Sequence, residues 1–99
     1  MLVLNRKAGE MFYIKRREQK ECNTLVVEEI FTNCNYFKRY IKLVYANSKE
    51  IILKRGQTIK LASDFQLHCK SITDTSVKLG FIITNNVQVV RDDTVEKYF

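Results

Sequence analysis

Three arginines each end a short run of alternating apolar residues. Arg6 follows Leu2 and Leu4 in MLVLNRK, and the runs EIILKRG and NVQVVRD end in the same way at Arg55 and Arg91. In a β-strand this spacing puts the arginine on the same face as both apolar side chains. Such a strip suits an unstacked nucleotide, because the apolar side chains pack against the base while the guanidinium pairs with phosphate or a guanine edge. A single strip is weak evidence, since an arginine ending a half-buried strand commonly just extends its head to water.

The composition is consistent with a polyanionic partner. The chain has 99 residues, of which 45% are apolar, and this length suits one domain with a core of its own. Seventeen Lys and Arg against eleven Asp and Glu leave a net charge of +6, which favours nucleic acid. Arg6 and Lys7 interrupt the apolar N-terminus, and no run is long enough for a membrane helix. We therefore expect a cytoplasmic protein without membrane contact.

Catalytic and metal-binding patterns have little support in this sequence. Cys22, Cys34 and Cys69 do not have the spacing of zinc ligands, and His68 is the only histidine. We expect these cysteines to be reduced and to act as small apolar residues. No phosphate-binding loop or nucleophile motif occurs. The sequence predicts a non-enzymatic protein without metal or cofactor.

The apolar pattern has a period of two residues along most of the chain. Segments such as Phe12-x-Ile14, Ile51-x-Leu53 and Val87-x-Val89 are separated by polar clusters. This pattern predicts an all-β fold, a small sandwich or barrel of short, mainly antiparallel strands. Residues 92–99 are the exception. They are predicted to form a short C-terminal helix, because Asp92 and Asp93 suit a first helical turn.

The chain contains an internal repeat. Residues 41–55 align with 77–91 at an offset of 36 without a gap, and shorter matches upstream have offsets of 42 and 47. Each copy alone would be marginal for an independent core. We therefore expect one domain over residues 1–99 in which two repeats, 1–57 and 58–99, share a core. The second repeat is expected to lack a first strand of its own.

Both ends of the chain resemble the carbon storage regulator family (CsrA/RsmA). The opening MLVLNRKAGE is similar to the start of that family, and VKLGFIITNNVQVVRDDTV resembles its last strand and the residues around it. Members are RNA-binding homodimers with five short strands and a C-terminal helix per subunit. The first strand of one subunit lies beside the last strand of the other, and together they bind GGA-containing loops in messenger leaders. The resemblance implies a diverged, fused tandem copy.

The resemblance also implies which residues bind RNA. The first-strand, last-strand and turn positions are Leu4, Arg6, Lys7, Val89, Arg91, Thr84, Asn85 and Asn86. The first repeat offers a second half site at Asn47, Ser48, Lys49, Leu53 and Arg55. Two departures weaken the match: Lys7 lacks the planar fork of arginine, and Ser48 and Thr84 replace a turn proline.

Post-transcriptional regulation is therefore the expected function. The chain would bind single-stranded or hairpin-loop RNA, in messenger leaders or small RNAs, and modulate translation or messenger stability. The alternative is a protein-interaction module that pairs with or titrates a CsrA-type regulator or its protein antagonist. A monomeric pseudo-dimer and a homodimer both fit the repeat. The basic loop containing Lys15, Arg16, Arg17 and Lys20 would extend a phosphate track, or is simply a solvated surface.

Overall fold

The computed structural model describes residues 1–20, 22–32, 35 and 38–91, which form nine β-strands. The strands are β1 (Leu2–Lys7), β2 (Met11–Arg16), β3 (Cys22–Phe31), β4 (Tyr40–Tyr45), β5 (Lys49–Lys54), β6 (Thr58–Ala62), β7 (Phe65–Ile72), β8 (Ser76–Ile83) and β9 (Val87–Arg91). The prediction of an all-β fold is confirmed. The predicted helix over 92–99 lies outside the described residues, as does Cys34. The described residues contain no helix that could cross a membrane.

Two antiparallel sheets pack against each other. One has the strand order β1-β8-β7-β6, and the other has the order β5-β4-β3-β2-β9. Alternate residues of both sheets point inward, because each strand has one apolar face to bury. The centre of the core is aromatic. The centroid of the Phe81 ring lies 5.0 Å from that of Phe12 in the opposite sheet and 6.1 Å from that of Phe65, and both pairs have edge-to-face geometry. Both sheets thus share a single core.

Backbone pairing repeats along the chain at the offsets seen in the sequence. The pairing of β3 with β4 shifts register between Val27 and Glu29, and the pairing of β7 with β8 shifts between Cys69 and Ser71, 42 positions later. A β-bulge is a specific local feature of a strand pair. Its recurrence at the same place shows that β2-β3-β4 and β6-β7-β8 are equivalent three-stranded units.

The chain consists of two halves, β1–β4 and β5–β9, which exchange their first strands, β1 and β5. Leu4 of β1 lies opposite Leu79 of β8, and Ile51 of β5 lies opposite Leu43 of β4. These pairs are related by the offsets of 47 and 36, and the same relation holds for all six residue pairs of each ladder. Hence β1 and β5 are equivalent. Each pairs with the last strand of the three-stranded unit in the other half: β1 with β8, and β5 with β4.

This arrangement differs from the expected division at residues 57 and 58. The expectation treated β5 as the counterpart of β9, but β9 pairs with β2 whereas β5 pairs with β4. The second half therefore does have a first strand, and no described strand occupies the edge of β6 that corresponds to the β9 position on β2.

The turns explain the difference. Ala46 and Asn47 both have positive φ (54° and 65°), and Ser48 N–H donates to Tyr45 O at 3.2 Å, so a tight hairpin keeps β5 beside β4. Residues 84–86 instead carry the chain from β8 to β9 in the other sheet.

Candidate nucleic-acid interface

Strand β9 lies at the edge of the five-stranded sheet, and two cavities border its ends. Its backbone pairs with β2, with Ile14 opposite Val89. A cavity of about 320 Å³ lies at the Arg91 end, and one of about 650 Å³ lies at the Val87 end. Of the predicted last-strand residues, Arg91 therefore lines the smaller cavity and Val89 lies between the two cavities.

The smaller cavity is where β1 approaches β9. Asn5, Arg6 and Lys7 of β1 line it together with Arg91, and Glu10 and Ser76 complete the wall. The two strands belong to different sheets and do not pair. The resemblance implied that the first strand lies beside the last, but β1 and β9 do not pair here. Only residues near the C-terminal ends of the two strands face one cavity.

Arg6 corrects the picture of a strip that faces outward. Only 6% of its surface is exposed, its Nε donates to Asn5 O at 3.3 Å, and its Nη1 lies 3.6 Å from Glu10 Oε2. Leu4 and Val89 are half-buried and pack against the core. An arginine in phase with apolar residues shares their inward face, so the side chain of Arg6 is buried instead of extending into solvent. The exposed cation of this part of β1 is Lys7.

The larger cavity lies between the predicted turn and the predicted basic loop. Of that loop, Lys15 and Arg16 in fact belong to β2, and the turn begins only at Arg17. Lys15, Arg16 and Arg17 line one side, and Thr84 and Asn85 lie among the residues of the other. The backbone N–H of Arg17 donates to the carbonyl of Asn86 at 3.0 Å, which ties the loop to the turn. Two sequence features that are about seventy positions apart thus form one concave, cationic surface.

A bidentate ion pair beneath this surface holds Arg16 in place. Arg16 Nε and Nη2 donate to Asp64 Oδ2 and Oδ1, both at 3.0 Å, which links β2 to the turn between β6 and β7. The hydrogen bonds to Asp64 raise the pKa of Arg16, and those to Arg16 hold the pKa of Asp64 below its usual value. Because Arg16 is committed to Asp64, the exposed Arg17 is the cation best placed to meet a ligand.

The predicted half site has a different character. Leu53 is buried and lies at the position equivalent to Arg6, while Arg55 lies in the turn after β5, at the position equivalent to Ala8. Asn47, Ser48 and Lys49 belong to the hairpin between β4 and β5. Arg55 therefore aligns with Arg91 in sequence but does not occupy the equivalent position in the strand pairing. Among the described residues around the predicted half site, no arginine occupies the position equivalent to Arg6 or to Arg91.

Three residues of the smaller cavity were not expected from the sequence. Asn5 alternates with Leu4 and Arg6 and so belongs to the other face of β1, which the apolar pattern does not mark. Glu10 is identifiable by its equivalence with Gln57, because the side chain of each accepts a hydrogen bond from a backbone N–H three residues earlier. Ser76 lines the cavity only because β8 pairs with β1, which places Ser76 opposite Lys7.

No family model, curated protein or solved structure matches the chain. Within the described part of the chain, no group of three or more His, Cys, Asp or Glu side chains could hold a metal ion. The function is therefore inferred from the interface itself.

Proposed function

We propose that this protein binds single-stranded or hairpin-loop RNA along β9 and acts as a post-transcriptional regulator. One observation carries the proposal: the described residues that line the two cavities at the ends of β9 include six cationic side chains and a single carboxylate. The cations are Arg6, Lys7 and Arg91 in the smaller cavity and Lys15, Arg16 and Arg17 in the larger, and the carboxylate is Glu10. Arg6 is paired with Glu10, and Arg16 is paired with Asp64.

The spacing of the cavities suits an extended strand of RNA. Val87 and Arg91 are four residues apart, which corresponds to about 13 Å along a β-strand. Phosphates at the two cationic ends would hold the backbone, and the polar side chains of Thr84, Asn85 and Gln88 would meet base edges. Asn and Gln amides carry both a donor and acceptors, as base recognition requires.

The resemblance to the carbon storage regulator family supports the same ligand. In that family the first strand of one subunit lies beside the last strand of the other. Here β1 and β9 belong to different halves, and their ends share a cavity. We therefore propose GGA-containing loops of messenger leaders or small RNAs as targets, with altered translation or messenger stability as the outcome.

A titration of two hairpins tests the proposal. One hairpin carries GGA in its loop, the other a scrambled loop, and the proteins are wild type, Arg91→Ala and Arg55→Ala as a charge-matched control. We expect a preference for the GGA loop and a roughly 10- to 100-fold loss of affinity for Arg91→Ala, equal to about 1–3 kcal/mol. Arg55→Ala should change affinity by less than about threefold, because Arg55 lies outside both cavities.

The result that would contradict RNA recognition is equal affinity for both hairpins. Equal losses for the two variants would contradict the placement at β9. Thermal unfolding of each variant shows whether the substitution has also weakened the fold. With three to five phosphates bound, log Kd should change with log salt with a slope of magnitude about 2 to 4.

The alternative, a module that binds a CsrA-type regulator or its antagonist, has one observation in its favour. The outer edge of β6 has no partner among the described strands, and an open edge can accept a strand from another protein. However, β6 has only five residues, carries Lys60 and is bulged between Lys60 and Ala62. These features typically protect an edge from pairing. Strand addition would also respond weakly to salt, which separates it from RNA binding.

A further inference from the structure

The outer face of the four-stranded sheet carries four exposed lysines, and we call it the basic face. Lys7, Lys60, Lys70 and Lys78 come from β1, β6, β7 and β8, so every strand of the sheet contributes one. They point away from the core because the residues that alternate with them are buried: Leu67 and Cys69 in β7, and Val77, Leu79 and Phe81 in β8.

No carboxylate belongs to this face among the described residues. The carboxylates of the turns at its margins are each paired with an arginine, at 3.6 Å for Glu10–Arg6, 3.0 Å for Asp64–Arg16 and 2.8 Å for Asp74–Arg39. These ion pairs partly neutralise the carboxylates, so their attraction for the lysines of the basic face is weakened. The basic face carries an excess positive charge that the fold does not balance.

The opposite sheet has the contrary pattern. Lys42 lies between two carboxylates there, 3.3 Å from Glu50 and 4.0 Å from Glu28, and these contacts raise its pKa. On the outer face of the five-stranded sheet, Lys42 is thus balanced by carboxylates, whereas the lysines of the basic face are not. A polyanion would be attracted more strongly to the basic face than to the outer face of the five-stranded sheet.

We propose that the basic face binds the RNA backbone that flanks the recognised loop. This inference rests on the proposed function and names a further part of its substrate: sugar-phosphate chain, bound without regard to sequence. Lys7 connects the two surfaces, because it lines the smaller cavity and also belongs to the basic face. Lysine suits such contacts, since its ammonium is a compact charge that pairs with phosphate without fixed geometry.

The dimensions of the face suit several phosphates. Neighbouring strands are about 4.8 Å apart, so β1 and β6 at the two edges of the sheet are separated by about 14 Å. Lys78 and Lys70 lie between them, on β8 and β7. Backbone leaving the smaller cavity at Lys7 would meet Lys78 first and Lys70 next.

A comparison of tailed and untailed RNA tests this inference. The GGA hairpin is made with a minimal stem and, separately, with twelve-nucleotide single-stranded tails of unrelated sequence. The proteins are wild type, Lys70→Gln/Lys78→Gln, and the charge-matched control Lys49→Gln/Lys54→Gln, whose lysines lie on β5 of the other sheet. We expect the tails to strengthen wild-type binding at low salt, and the basic-face variant to lose most of this gain.

The salt dependence provides a second readout. For the tailed RNA, the basic-face variant should lower the magnitude of the log–log salt slope by about 1.4, from two lost contacts at about 0.7 each. The control variant should keep both the gain and the slope. Binding of the minimal hairpin should change by less than about twofold in both variants, since none of the four substituted lysines lines either cavity.

Equal loss of the tail effect in the two variants would overturn the inference, because net charge alone would then explain it. In that case the proposed function stands if the minimal hairpin is still preferred over its scrambled version, and fails if it is not. Met1, Val3 and Ile82 expose apolar surface on the same sheet, so vesicles containing phosphatidylserine are a necessary comparison. Vesicle binding that requires Lys70 and Lys78, without any tail effect, would also overturn the inference.

Discussion

Gly9 and Gly56 occupy equivalent positions in the two halves of the fold. Gly9 N–H donates to Val27 O and Gly56 N–H donates to Cys69 O, both at 2.7 Å, and the two glycines have φ values of +88° and +85°. The turn at each glycine carries the chain from an exchanged first strand into the opposite sheet. A Cβ added at either glycine would meet no atom within 4 Å, so the backbone conformation and not crowding requires glycine there.

We predict that Gly9→Ala and Gly56→Ala each lower the free energy of unfolding by about 1–2 kcal/mol, because a Cβ is disfavoured at positive φ. Urea unfolding measures the effect. Asparagine tolerates this conformation better, so Gly9→Asn should retain more stability than Gly9→Ala. A loss at only one of the two glycines would contradict their equivalence.

Arg6 and Leu53 also occupy equivalent positions, and both are buried. We predict that Arg6→Leu keeps the free energy of unfolding within about 1 kcal/mol of wild type, since the other half places a leucine there and apolar replacements of buried ion pairs are commonly tolerated. Arg6→Ala should lose roughly 1–3 kcal/mol, because it leaves a cavity. If both substitutions destabilise the fold equally, the polar contacts of Arg6 and not its packing are what matter.

These pairs show what the sequence could and could not predict. Alternation identified the strands, because residues such as Phe12 and Ile14 must share a buried face, and the repeat offsets of 42 and 36 reappear in the strand registers. The partners of β5 and β9 were not predictable. Both strands follow short polar turns, and only the backbone conformation at Ala46 and Asn47 makes the first turn a hairpin.

Only part of the candidate site could be predicted, because a strand pattern does not show which distant segments meet. Period two places Arg6 on the face of Leu4, but it does not say which face of β1 is covered by the other sheet. Arg91 and the turn at 84–86 do border cavities, and the basic loop meets that turn. These meetings depend on contacts between distant segments, which a strand pattern does not contain.

Asp64 should give stability a specific dependence on pH. Its ion pair with Arg16 lowers its pKa in the folded state, so the stabilisation is fully present above the unfolded pKa of about 3.9 and is lost as the pH falls through the lower folded value. We predict that wild type exceeds Asp64→Asn in stability at pH 7 and that this difference shrinks below about pH 4. Urea unfolding at several pH values measures it. A difference that stays constant from neutral to strongly acidic pH would contradict the role of the carboxylate.

The thiols of Cys22 and Cys69 should react at very different rates. Cys22 is exposed, whereas burial raises the pKa of Cys69 to about 11. Because the thiolate is the reactive form, we predict that iodoacetamide at about pH 8 modifies Cys69 at least roughly 100-fold more slowly than Cys22. Peptide mapping by mass spectrometry distinguishes the two sites. Addition of denaturant should remove the difference, and similar rates in native buffer would contradict the burial of Cys69.

Amide hydrogen exchange with and without the GGA hairpin tests the central claim most directly, because it locates the bound RNA on the chain. We predict slower exchange in residues 1–10, 15–17 and 83–91, which line or border the two cavities, and little change in residues 47–57 of the equivalent region in the other half. Protection of 47–57 that equals or exceeds that of 83–91, or no protection of 83–91 under saturating RNA, would contradict RNA binding at β9.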